Sequence, residues 1–177
     1  MVRWTAEELL QAYRQGQRQF LRGDLAKIHL FQAQLRDIDL QESCLAHAYL
    51  PYCDFSRANL TRVDLTQAEL GDSRLYGAHL TAACLARANL SRADLRQARL
   101  HRSDLRGANL TGADLRQADL RQADLAGCSL VGAWLEGAGL AGANLRGCNL
   151  FRAVGVDWAE GDCDGTTILP SGYPYGR

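Results

Sequence analysis

The sequence predicts an all-β solenoid with a short α-helical cap at its N-terminal end. Three observations carry this. Every fifth residue from Phe20 to Leu150 is large and apolar: Phe20, Leu25, Leu30, Leu35, Leu40, Leu45, Leu50 and Phe55, then Leu at each fifth place from Leu60 onward. Two residues before each stands a small side chain, mostly Ala, with Ser or Cys in several repeats. Finally, Thr5-Ala6-Glu7-Glu8 has the form of a helix capping box just ahead of the first repeat. The chain therefore divides into 1–19 as helical cap, 20–153 as repeats and 154–177 as an irregular C-terminal cap.

A period of five fits neither regular element. On an α-helix, steps of five rotate Leu off any single stripe. On a flat strand, an odd step flips it between faces. Leu points inward throughout only if the chain turns a corner once per repeat, closing into a coil that climbs. Successive coils then stack as parallel strands about 4.8 Å apart.

The unit reads A-(D/N)-L-x-x, as in Ala58-Asn59-Leu60, Ala93-Asp94-Leu95, Ala108-Asn109-Leu110, Ala113-Asp114-Leu115 and Ala143-Asn144-Leu145. This resembles the pentapeptide-repeat family of the cyanobacterial type. The resemblance implies a right-handed quadrilateral parallel β-helix, four repeats to a coil. The repeats then amount to about seven coils and a rod roughly 30 Å long.

Corner residues agree with such a path. Gly stands two places after the central Leu at Gly77, Gly107, Gly112, Gly127, Gly132, Gly137, Gly142 and Gly147, and Pro51 directly follows Leu50. A type II turn begun at Leu wants Pro and Gly at those places. The Gly-rich repeats after Ser103 are expected to have the more regular corners. The core is read as stacked Leu, including Leu60, Leu65, Leu90, Leu95, Leu110, Leu115, Leu120 and Leu145, each worth about 1.5–3 kcal/mol of burial. Ile28, Ile38 and Val63 replace the small residue and predict wider or less regular coils near the N-terminus.

The helix is expected to run from Thr5 to about Gly16 as a lid over the first coil, burying Trp4, Leu9, Leu10 and Tyr13 and part of the cluster Phe31, Tyr49, Pro51 and Tyr52. The tail is expected to fold back over Val131, Trp134 and Phe151. No apolar run reaches a membrane span and no secretory core is present, so a cytoplasmic location and no membrane partner are expected. Cys53, Cys128 and Cys148 sit at small inward positions; Cys128 and Cys148 should stack, with a disulfide disfavoured. Cys44 and Cys84 read as ordinary surface thiols.

Net charge is zero, from 20 basic and 20 acidic residues. Stacking at four repeats per coil sorts these into columns. Asp24, Cys44, Asp64, Cys84, Asp104, Asp124 and Asn144 make an acidic face. The column Asp39, Asn59, His79, Arg99 and Asp119 is flanked by Arg36, Arg57, Arg96 and Arg116 on one side, and by Arg62, His101, Arg102 and Arg121 on the other. That face is read as basic, even with surface pairs such as Asp114 with Arg116 and Asp119 with Arg121.

Four scattered His residues, solvated Asp and a filled core predict no catalytic residue, cofactor or metal site. The favoured function is a non-enzymatic scaffold for protein–protein interaction. Its candidate face for an unidentified protein partner is Arg57, Arg62, Arg96, Arg99, Arg102, Arg116 and Arg121. Nucleic acid is not expected, since no aromatic residues interleave these arginines. The chain is expected to be a monomer or a weak dimer through an end of the rod. The alternative comes from the resemblance: family members conferring quinolone resistance mimic DNA to inhibit or protect a type II topoisomerase, DNA gyrase. This chain departs from them in its zero net charge and in a tail that does not read as a dimerising helix.

Overall fold

The computed structural model describes residues 1–176. Its backbone repeats on a spacing of 20 residues. Gln19 bridges Asp39, Asp24 bridges Cys44, His29 bridges Tyr49 and Gln34 bridges Asp54, all in parallel, and each column then continues. Four columns per spacing give the coil four sides. Repeats between the end coils are bonded both ways along the stack: Asn109 N–H donates to Ala88 O at 2.9 Å, and Leu110 N–H to Ser129 O at 2.7 Å. Each side is so short that these bonds, rather than long strands, hold the coils together.

All the fifth-place residues from Phe20 to Leu150 are buried, none more than 3 % exposed. With the inward Ala, Ser and Cys side chains they form one continuous core. Ile28, Ile38 and Val63 are buried too, and the bridges keep the same 20-residue register past them, so the coils near the N-terminus are no less regular than the rest. The reason is local. Val63 lies between Ser43 and Ala83 in its column, while Ile28 and Ile38 belong to the first coil and are followed in their columns by Ala48 and Ala58.

The corners also differ from expectation. Leu105 O accepts the Ala108 N–H at 2.9 Å across a turn with Gly107 at φ +65°. Leu95 O accepts from Ala98 at 3.0 Å across Gln97 at φ +58°, with no Gly at all. Corners without Gly are thus as regular as those with it. Closure of the coil imposes the left-handed conformation on ordinary residues, at about 1–2 kcal/mol each.

A second device fixes the entry to each corner. The Asp or Asn before the central Leu accepts the backbone N–H two residues on, as Asn59 does from Thr61 at 3.2 Å and Asp64 from Thr66 at 2.9 Å. This Asx turn is the physical reason for Asp and Asn in the repeat. Other side chains can fill the place, as His79 and Trp134 do, but without this bond.

At the N-terminal end, β1 (Val2–Arg3) pairs in parallel with β2 (Gly23–Asp24). Between them α1 (Ala6–Arg14) starts on Thr5, whose side chain accepts the Glu8 N–H while Glu8 accepts the Thr5 N–H at 2.8 Å. Leu9 is fully buried in the common core. Trp4 packs edge-on against Phe20, with centroids 5.1 Å apart, and the Tyr13 hydroxyl donates to Arg36 O at 2.8 Å. Phe31 and Tyr52 nevertheless stay half exposed, at 56 % and 50 %, because α1 stops at Arg14 and does not reach them.

Beyond Ala153 the tail keeps the path but loses the period. Asp162 bridges Asn144 and Ile168 bridges Asn149, spacings of 18 and 19 residues. A one-turn 3-10 helix at Trp158–Glu160 takes up the slack. Gly161 lies flat on Leu145, where a Cβ would come within about 2.5 Å of Leu145 Cδ1. Thr167 is buried and donates to Leu145 O at 2.9 Å. The tail closes the end of the core and touches Phe151 through Gly172, but it leaves Trp134 48 % exposed. The expected cover over Trp134 is therefore absent: the tail follows the coil end instead of folding down its side. Among the described residues, no helix is long and apolar enough to cross a membrane.

Candidate interaction surface

Among the described residues, the interior is taken up by a continuous core, mostly of Leu and Ala. The outer surface is a set of ladders one coil apart, and the candidate arginines stand on it as exposed side chains. Most of them are engaged. Arg57 binds Asp37 with two bonds of 2.7 Å each. Arg116 grips Asp114 at 2.8 and 2.6 Å, and Arg121 grips Asp119 at 2.7 and 2.7 Å. Arg96 holds Asp94 through two bonds of 2.8 Å and lies 3.6 Å from Asp114. Arg62 is 3.5 Å from Glu42.

Three of these pairs, with Asp104 and Arg106, share one local form: Asp-Leu-Arg, with Asp Oδ1 also accepting the Arg backbone N–H. The carboxylate that sets the corner is the one that clamps the guanidinium. That bond holds Asp114 and Asp119 below the usual carboxylate range, with the Arg charge adding to it, against a smaller opposing effect of burial. Exposed pairs of this kind contribute about 0–1 kcal/mol each.

The expected basic face is thus largely neutralised. Among the described residues, Arg99 makes no hydrogen bond or ion pair through its side chain, and Arg102 bonds only the Gln122 amide oxygen, at 2.8 Å. Both flank Leu100. Beside Arg102, the Nδ1 of His101 is buried without a partner. His79, one coil below Arg99, is held below the ordinary imidazole value, first by burial and then by the Arg99 charge. The acidic column is tempered likewise: Arg106 binds Asp104 and approaches Asp124 at 3.7 Å, while the Asn144 amide donates to Asp124.

The inward thiols are free, and two of them stack. The sulfurs of Cys128 and Cys148 are 3.1 Å apart, and the Cys148 thiol donates to Leu125 O at 2.8 Å. Burial pushes the Cys53 thiol up to about 11. The aromatic residues were visible in the sequence as outward positions, but their exposure was not: Phe31 meets Tyr52 at 5.7 Å, and Trp134 lies under Arg116 at 5.6 Å.

Geometry alone defines the class: a four-sided repeat solenoid with a closed apolar core and ladder-like faces. The pentapeptide-repeat family model matches residues 28–75, 73–112, 103–138 and 113–152, eight copies in all, and the chain belongs to the pentapeptide-repeat family. Among solved structures, the chain is similar to HetL, a pentapeptide repeat protein involved in heterocyst differentiation regulation from Nostoc sp. strain PCC 7120. They share 29 % identity over 97 % of this chain and 100 % of HetL, with a TM-score of 0.40. It is also similar to full-length QnrB1, a plasmid-mediated fluoroquinolone resistance protein, with 19 % identity over 82 % of each chain and a TM-score of 0.50. Rfr23 from the cyanobacterium Cyanothece 51142 matches at 19 % identity over 93 % of this chain and 99 % of its own, with a TM-score of 0.42. No curated protein gives a significant match.

Proposed function

We infer that this protein is a non-enzymatic scaffold: a right-handed quadrilateral rod of about seven coils that presents its outer faces to a protein partner in the cytoplasm. The observation that carries the reading is the Arg99–Arg102 corner. Two exposed arginines flank one core Leu there, without a carboxylate on either and with an unpartnered His101 nitrogen beside them. A partner carboxylate would find guanidinium groups with no ion pair to break, which favours docking at this corner over the clamped arginines around it. A rigid backbone presents these groups with little ordering cost on binding. The topoisomerase alternative has no comparable support, because the acidic column is interrupted by Cys44, Cys84 and Asn144 and partly clamped by Arg106.

The test is affinity capture from source-cell lysate on the immobilised chain, against Arg99→Glu/Arg102→Glu and Arg96→Ala/Arg116→Ala variants. A protein retained by the parent and the second variant but lost with the first is the expected result. Identical capture by all three chains would remove the Arg99–Arg102 corner as the docking site. Recovery of topoisomerase subunits, with supercoiling inhibited by the pure protein, would replace the scaffold reading by the alternative.

A further inference from the structure

A coil that starts from an open end leaves strand edges without neighbours. The first coil has four, at Gln19, Asp24, His29 and Gln34. β1 covers the Asp24 edge, with Trp4 N–H donating to Asp24 O at 3.1 Å. The Gln17 side chain donates to Gln19 O at 2.9 Å. The other two edges are different. One coil further on, Tyr49 donates its N–H to Ile28 O at 2.8 Å and its carbonyl accepts from Leu30 at 2.8 Å. Among the described residues, the N–H and C=O groups of His29 and Gln34 take part in no such bond, and both residues are exposed.

These two edges form one wall of a groove of about 490 Å³ beneath α1, whose other wall is Leu10, Tyr13, Arg14 and Arg18. Its apolar surface continues outward over Phe31 to Tyr52. Among the described residues, no carboxylate lines it. Arg14 is exposed and in no ion pair among the described residues. Arg18 bonds only the carbonyls of Tyr13 and Gln17 and stacks 4.0 Å over the Tyr13 ring.

We propose that this groove binds a short acidic segment of a partner protein, which adds an extended strand to the His29 edge and bends with the coil onto the Gln34 edge. The free backbone groups supply the pairing, as in other cases of strand addition. Alternate side chains of the segment then point to opposite faces. One set packs on Phe31 and Leu10, and the other meets Arg14 and Arg18. A basic segment is disfavoured by these same arginines, and a helix, with its backbone groups already bonded, cannot use the edge. This site lies at the end of the rod and stands independently of the Arg99–Arg102 corner.

The test is fluorescence polarisation of a fluorescein-labelled peptide of alternating Glu and Val against the full-length protein. The controls are a Lys-for-Glu peptide and a Glu–Val peptide methylated on alternate backbone nitrogens. The Glu–Val peptide is expected to bind and both controls to fail. Arg14→Glu and Phe31→Ser should each weaken binding by about tenfold, with circular dichroism unchanged, while Arg99→Glu leaves it intact. Absence of Glu–Val binding overturns the proposal. So does equal binding of the methylated peptide, or equal loss with Arg14→Glu and Arg99→Glu, since either makes the contact a non-specific charge effect. Self-association in sedimentation that Arg14→Glu abolishes would give the edge to a second copy of this chain and overturn it too.

Discussion

Leu110 is the sharpest probe of what holds the rod together. Its side chain is fully buried in mid-solenoid, with Leu90 one coil before it and Leu130 one coil after, both also fully buried. Leu110→Ala removes three carbons and leaves a cavity. The loss from buried Leu→Ala spans about 2–5 kcal/mol, depending on how far the site collapses. Here collapse is opposed: the coils are pinned on both sides of Leu110 by bonds of 2.7 to 2.9 Å. A value near the upper end, about 4 kcal/mol, follows. Leu110→Asp adds the cost of a buried carboxylate without a partner and should exceed the roughly 5–15 kcal/mol that stabilises a typical domain. Urea unfolding followed by circular dichroism measures the first. Size-exclusion chromatography shows the second as aggregate or unfolded chain. Arg116→Ala, which breaks an exposed pair, is the control and should stay within about 1 kcal/mol. If Leu110→Ala came within that same margin of the parent, the claim that the Leu stack carries the stability would be wrong.

Three other expectations follow from local geometry. Ala82, exposed at φ +54° in a corner, should gain about 1 kcal/mol on Ala82→Gly, read as a raised urea midpoint; a loss would mean the corner strain is not there. The carboxyls of Asp104 and Asp114 are held low chiefly by their Arg bonds, so their contribution is present above the unfolded carboxylate value and lost as pH falls through the depressed folded one. Melting temperature should therefore drop between about pH 4 and pH 2, and drop less in an Asp104→Asn/Asp114→Asn chain. His79 should titrate below the ordinary imidazole value by NMR; because burial outweighs the Arg99 charge as the cause, Arg99→Ala should return it only part of the way.

The core was legible because closure turns one large apolar side chain inward at every repeat, with a mostly small one two places before it, so the period is written throughout. The helix was legible through its capping box. The role of the Asp or Asn before each central Leu was half hidden. Asn59, Asp64 and Asp94 were visible as part of the motif, yet the Asx bond that explains them appears only when the backbone turns. Column assignment placed the arginines correctly on the outside but overstated the basic face. Whether Arg96 stays free or clamps Asp94 is a matter of side-chain geometry that spacing does not encode. The tail resisted reading for a different reason: with spacings of 18 and 19 it continues the coil out of step, so a search for period five ends where the stack does not. The end groove was likewise invisible, because an unpaired edge is defined by what α1 leaves uncovered.

The four-sided path also makes insertions and deletions unequal. Adding one pentapeptide anywhere along the rod would keep every Leu inside, since the unit brings its own corner and its own core residue. All residues downstream of it, however, would move one side around the axis. With the insertion between His79 and Arg99, for example, Arg99 would stack on a different column from His79, and the ladders above and below the insertion would no longer match. Only four units added together restore the alignment. The core thus counts in single repeats while the surface counts in fours, so length changes that folding tolerates can still dismantle a recognition face without altering any of its residues.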